Sequence, residues 1–521
     1  MLKVPRLDDL SYEQMIQRAV SRIPAMTDQW TDFNNHDPGI TVLQAYAWLT
    51  DMLNYYLNAT GDVHIEKYLK LLGIEPLPAQ AARCYLAVEG EEGEIRIPAG
   101  TRFLAGEIPF ESEEEYMGTG NRFCSFISET DGSAMDLTAF AGADGEYARA
   151  FAHYFHDSSI LYLGFEKPLS DGDRLYICIK ADERRNPFDE DFRLCSFRWQ
   201  FFGEAGWTDL DTEDGTCGFL KSGIVRVGGI SAMEHFRHPE GMGEAYYIRC
   251  ILEEDAYDAL PGIGMIYVNP LEVVQQKTVC KEGEILPELQ IGRTDGCAGQ
   301  GLLFDYPDIC RFSLALETGE KHFDIWKYTE DLEQAGYRDQ VFTYDRDTQC
   351  VRFGDGIHGA VPPQNCLIHV TGLVCSMYEK GNVMAGSISV AADAGDSSCR
   401  VWNPEDAHGG KGRETVRQMA ARMEEELFHQ QRMASAEDYK SVILSTPGLM
   451  LETAHVIPGT VYGEITGKLR GANEVVVVIK PYSREKKAGL SDIYRARIET
   501  YMEPFRLLNT KVSIEEPAYV G

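Results

Sequence analysis

At 521 residues the chain is too long for one ordinary domain, and length alone suggests about three or four. Its hydrophobic fraction of 44% is that of a globular protein and excludes disorder as the starting assumption. Acidic residues outnumber basic ones 82 to 49, and the resulting charge of −33 repels nucleic acid and anionic membranes, which need clustered Lys and Arg.

The first 78 residues read as a helical segment. Ser11 caps a helix through Ile16, Val20 and Ile23 that Pro24 is expected to stop. Asp37-Pro38, a capping carboxylate followed by proline, announces a second helix. Its residues Ile40, Leu43, Ala47, Leu53 and Leu57 are read as an apolar stripe. Tyr46, Trp48, Met52, Tyr55 and Tyr56 add bulk on other faces, so this helix needs enclosing by other helices. The region is too small to bury such a set by itself, which predicts a core completed by another chain. A shorter helix over Ile65 to Leu72 ends at Gly73.

From about residue 80 the period changes to alternation, and Tyr85 to Val88 with Ile95 to Ile97 reads as a hairpin. A β-rich region over 79–310 is expected, with an insertion from about residue 116. A further β domain over 311–408 carries a Phe353-Gly354-Asp355-Gly356 turn, flanked by strands Val341–Tyr344 and Cys350–Phe353. Gly409, Gly410 and Gly412 read as a flexible joint into an α/β domain over 409–521. There a helix carries Val416, Met419, Met423 and Leu427, and Ser435 with Asp438 forms a capping box for the next. Strands at Leu451–Ile457, Val475–Ile479 and Val512–Ile514 follow, with a helix presenting Tyr494, Ile498, Met502 and Phe505 on one face before the last strand. The fold class is α+β multidomain, ending in a small sheet covered by helices.

No nucleophile elbow, P-loop or zinc helix is present. Two His-x-x-His pairs, His153/His156 and His235/His238, have no Cys close by and read as ordinary histidines. Asp345 and Asp347 stand near the Gly-Asp-Gly turn without the closing Glu of a calcium loop. The 13 cysteines never form a CxxC pair and read as buried thiols of a reducing compartment. Ile40 to Leu57 is broken by Gln44, Thr50, Asp51 and Asn54, so no membrane insertion is expected. No metal, cofactor or catalytic residue is assigned.

Three segments, in this order, resemble the baseplate J-like, or wedge, family of contractile tails and injection systems. The first runs from Trp30-Thr31-Asp32-Phe33-Asn34-Asn35-His36-Asp37-Pro38-Gly39 through Trp48 to Lys67–Ile74. The second is Ile97-Pro98-Ala99-Gly100-Thr101 with Phe110-Glu111-Ser112. The third runs from Tyr344 through the Gly354-Asp355-Gly356 turn, Gly381-Asn382-Val383, Asn403-Pro404 and Gly409-Gly410 to Ala436–Tyr439. The resemblance covers roughly half the chain, and it implies an architectural subunit that joins hub and spike to the sheath. The implied partners are a second, larger wedge protein, a small lysozyme-like protein that seeds the sheath, and hub, spike and sheath proteins. Within it, Ile40, Leu43, Ala47, Leu53 and Leu57 would enter a helical bundle with partners. The glycine joint would act as a hinge during sheath contraction, and Tyr494, Ile498, Met502 and Phe505 would belong to a wedge-pairing domain. The chain would assemble in the cytoplasm and end in a contractile particle, whether phage tail, released particle or anchored system. Two other classes stay open: a carbohydrate- or surface-binding β-rich tail protein, and an enzyme such as a glycoside hydrolase working through paired carboxylates.

Overall fold

The computed structural model describes residues 10–58, 62–90, 95–140, 147–151, 159–180, 182–189, 191–319, 322–346, 348–390, 399–428, 432–467, 471, 473–482 and 489–517. They form an α+β protein of two compact units, one from residues 1–79 and 412–429, the other from 80–411 and 430–521.

The first unit is helical. Helix α1 (Tyr12–Met26) opens on a capping box, Ser11 Oγ accepting from Gln14 N at 3.3 Å and Gln14 Oε1 from Ser11 N at 3.0 Å. Pro24 does not stop this helix, which runs on to Met26. So close to the end, the proline removes only one hydrogen bond from a turn whose carbonyls are already losing their partners. Helix α2 (Pro38–Asn58) starts where Asp37 Oδ1 accepts from Gly39 N at 2.8 Å and Ile40 N at 3.0 Å, and it packs on α1. Helix α3 (Asp62–Leu71) packs on α4 (Val416–Phe428) through Leu69, Met419 and Met423. Arg422 clamps that pair: its guanidinium binds both oxygens of Glu414 (3.0 and 2.8 Å) and donates to the carbonyl of Glu75 at 2.7 Å. Arg422 holds the Glu414 carboxyl below the usual range.

The second unit is built from sheets. The first strand, Arg83–Gly90, does not form the expected hairpin with Ile95–Ile97. It lies between Leu271–Val274 and Cys399–Trp402, and Ile95–Ile97 pairs with Tyr116–Gly118 instead. Local alternation marks a strand but carries no information about a partner nearly two hundred residues away. A seven-stranded sheet around Glu244–Asp255 and a five-stranded sheet around Arg174–Lys180 share a core that includes Phe126, Leu163, Ile177, Trp199, Phe201 and Ile248. Residues 277–375 form an eight-stranded sheet with its own core around Trp326, Phe342 and Phe353. Its hairpin Val341–Asp345/Cys350–Phe353 leads to the Gly-Asp-Gly turn, as expected.

The last sheet is small, in the order Leu451–Pro458, Glu474–Pro481, Lys511–Glu515, and its final pair is parallel. Helix α5 (Ala436–Leu444) starts on the Ser435/Asp438 capping box. Helix α6 (Gly459–Thr466) joins the first two strands, and α7 (Asp492–Met502) joins the last two. Tyr439, Val442, Ile443, Tyr494, Ile498 and Met502 bury themselves in the same core as the middle sheets. A buried polar node pins this contact. Arg185 makes a two-pronged bond to Asp258 (3.0 and 2.5 Å) and donates to Gly448 O at 2.8 Å, while the Tyr494 hydroxyl donates to Asp258. Burial and the Asp258 charge push the Tyr494 hydroxyl pKa up.

Both partners of the ion pair are nearly solvent-free, so removing one strands the other's charge. Asp258→Ala should destabilise the second unit by about 3–5 kcal/mol, and Tyr494→Phe by about 1–2 kcal/mol. Urea unfolding followed by tryptophan fluorescence ranks them; equal effects would show that the node carries no special weight.

Candidate functional site

Helix α2 is apolar around most of its circumference, and α1 covers only part of it. Ile40, Ala47 and Asn54 are its buried residues, each seven apart and therefore on one line. Leu43 and Gln44 are half-buried beside them. At 100° per residue the polar side chains Gln44, Thr50, Asp51, Asn54 and Asn58 fall on this side of the helix, and Thr41 stands exposed on the other.

The rest of the helix is open. Val42, Tyr46, Leu49, Leu53 and Tyr56 are exposed and follow a four-three-four-three spacing, the pattern of a helix seam that receives knobs from a partner. Ala45, Trp48, Met52 and Tyr55 form a second exposed line with three-four-three spacing. The two seams lie about 100° apart, and with Leu57 they make an apolar arc of about 200°. Leu53 is 63% exposed and Tyr55 73%. Tyr68, Leu71 and Leu72 extend the exposure over α3 and its end. The large side chains of α2 alone leave on the order of 1,000 Å² uncovered, more than the ~800 Å² each partner contributes to a standard interface. An apolar area this large marks an interaction surface.

The five residues expected to form one interface stripe do not share a face. Ile40 and Ala47 point inward, Leu43 is half-buried, and Leu53 and Leu57 are exposed. The six-residue step from Ala47 to Leu53 rotates the stripe by about 120°. Sequence reading passed over the exposed seam beginning Val42-Tyr46-Leu49, although its four-three spacing was available in the sequence.

The glycine run is held differently at each position. Gly409 has φ +85°, the left-handed region glycine tolerates. Gly410 is buried and fixed on both sides by Asn382: its N–H donates to Asn382 Oδ1 and its carbonyl accepts from Asn382 Nδ2, both at 2.9 Å. A Cβ at Gly410 would stand 2.3 Å from the Tyr378 carbonyl oxygen. Lys411 exchanges two 2.8 Å hydrogen bonds with Gln80, and Gly412 is the first residue of this stretch to belong to the helical unit. Tyr494, Ile498 and Met502 of α7 are buried and Phe505 is half-buried, so all four anchor the helix inside its own unit.

Among the described residues no group of three or more His, Cys, Asp or Glu is placed to hold a metal. His235 is exposed and packs on Tyr246, whereas His238 is buried. His153 and His156 lie outside the described residues. No helix among the described residues is long and apolar enough to cross a membrane.

No family model matches the chain, and no curated protein matches it. Among solved structures, the cryo-EM structure of the anti-feeding prophage (AFP) baseplate, six-fold symmetrised, aligns with 96% of this chain and 70% of its own. The identity is 12% and the TM-score 0.35, a likeness too slight to carry a fold or a role.

If the open arc is an interface, charging it should leave the fold intact. Leu49→Glu with Leu53→Glu should reduce binding of an apolar dye and self-association with little change in helicity. Ala47→Glu, which places a charge at a buried position of α2, should cost several kcal/mol and unfold the helical unit. Equal loss of helicity in both would mean that the outer seam is part of the fold.

Proposed function

We propose that the chain is a structural wedge subunit in the baseplate of a contractile injection machine, and that the outer seams of α2 are where helices of partner subunits pack. The observation that carries this reading is the open 200° apolar arc. A helix with two adjacent apolar seams gains most when helices of other chains cover both and remove them from water. The arc falls within the first of the three segments whose order resembles the wedge family. The role is architectural: the second unit supplies a stiff β-rich body, and the helical unit supplies the adhesive face. The partners would be a second, larger wedge protein, a small sheath-seeding protein, and hub, spike and sheath proteins, assembled in the cytoplasm into a contractile particle.

The test is affinity purification of the tagged chain from a producer of the particles, with mass spectrometry of what comes with it. Sheath, inner-tube, spike and a second wedge protein should be recovered together, and the Leu49→Glu/Leu53→Glu double variant should reduce them at least tenfold. A chain that comes down alone from cells shown to make particles would overturn the assignment.

A further inference from the structure

The outer seam of α2 reads the same in both directions. Its central residues are Tyr46, Leu49, Leu53 and Tyr56, spaced three, four and three apart, so that Leu then Tyr follow on either side of position 51. All four are exposed. At 1.5 Å per residue they span about 15 Å of helix, enough for four layers of a helix pair. Asp51 itself lies on the other side of the helix, with Ala47 and Asn54.

The borders of the seam are also suited to a second helix. They are formed by Ala45 and Met52 along one side and by Leu43, Thr50 and Leu57 along the other, none of them charged. Thr50 is the one polar residue among them, and its Oγ1 donates to the Tyr46 carbonyl at 2.8 Å. Its hydroxyl is therefore satisfied inside α2 before any partner arrives. In a chain with a net charge of −33, a seam without charge is a place where two copies can meet without like charges at the contact.

We propose that this seam binds the same seam of a second copy of the chain, antiparallel, about a two-fold axis passing at position 51. The inference rests on the reading of the outer seams of α2 as surfaces that receive helices, and it names the occupant of one of them. In the pair Leu49 opposes the partner's Leu53 and Tyr46 opposes the partner's Tyr56, and the two-fold repeats each contact. Leucines fill the two central layers, while the tyrosines close the ends with their rings packed and their hydroxyls towards water. A parallel pair matches any sequence with itself, so only the antiparallel pair gives the palindrome a physical reason. Antiparallel helices also set the positive start of each beside the negative end of the other. The second seam, with Trp48 and Tyr55, stays open beside the pair for a helix of a different protein.

The test is disulfide trapping in the purified full chain, with diamide as the oxidant and the wild type as the control for its own cysteines. Tyr46→Cys mixed with Tyr56→Cys should give a cross-linked dimer. Neither should do so alone, because the two copies of position 46 stand about 15 Å apart along the antiparallel pair. Sedimentation at about 10 µM should show a dimer in the wild type and a monomer in Leu49→Glu/Leu53→Glu, with helicity unchanged. Cross-linking of Tyr46→Cys with itself would mean a parallel pair and would overturn the proposal. So would a monomeric wild type that yields no mixed cross-link, which would leave the seam to another protein. Neither outcome touches the wedge reading, which is decided by what copurifies with the chain from a producer of the particles.

Discussion

Asp258 is the point on which the second unit depends. It receives both prongs of Arg185 and the Tyr494 hydroxyl in a place almost free of water. Charges buried there are stable only while all partners stay in register. Arg185 and Asp258 belong to the middle of the chain and Tyr494 to helix α7 near its end, so the node makes the C-terminal sheet continuous with the sandwich. The hydrophobic core agrees, because residues from both regions form one cluster. Asn186 adds directional bonds to the carbonyls of Leu444 and Thr446 at 2.7 and 2.9 Å.

The helical unit follows the opposite logic. Its caps are satisfied and its α3–α4 contact is clamped by Arg422, yet α2 leaves a large apolar arc in water. In a monomer such a surface invites self-association, and burying it is a strong drive towards assembly. Two seams about 100° apart ask for partners on two sides. In the linking segments, Lys411 is paired to Gln80 in the second unit, and Leu77 exchanges 3.0 Å hydrogen bonds with Glu414 in the helical one.

Much of the helical segment was legible in the sequence because its determinants are local. Ser11, Asp37 before Pro38, and Ser435 with Asp438 act over three or four residues, and the structure bears out all three caps. The three strands and two covering helices of the last sheet were legible for the same reason, α6 being the element missed. Pro24 was misjudged because its effect depends on its distance from the helix end. Partners were not legible: Arg83–Gly90 pairs with strands far along the chain, and alternation looks the same whichever strand lies beside it. The aromatic and aliphatic residues of α2 were visible as an excess. Which of them turn outward was decided by packing, which buries Ile40, Ala47 and Asn54 and leaves the rest. Sequence by itself determined where the capped helices start, where the strands of the last sheet run and that α2 carries more apolar surface than its region can bury. Tertiary structure decided which distant segments share a core, because burial and charge pairing act between residues near in space, whatever their separation along the chain.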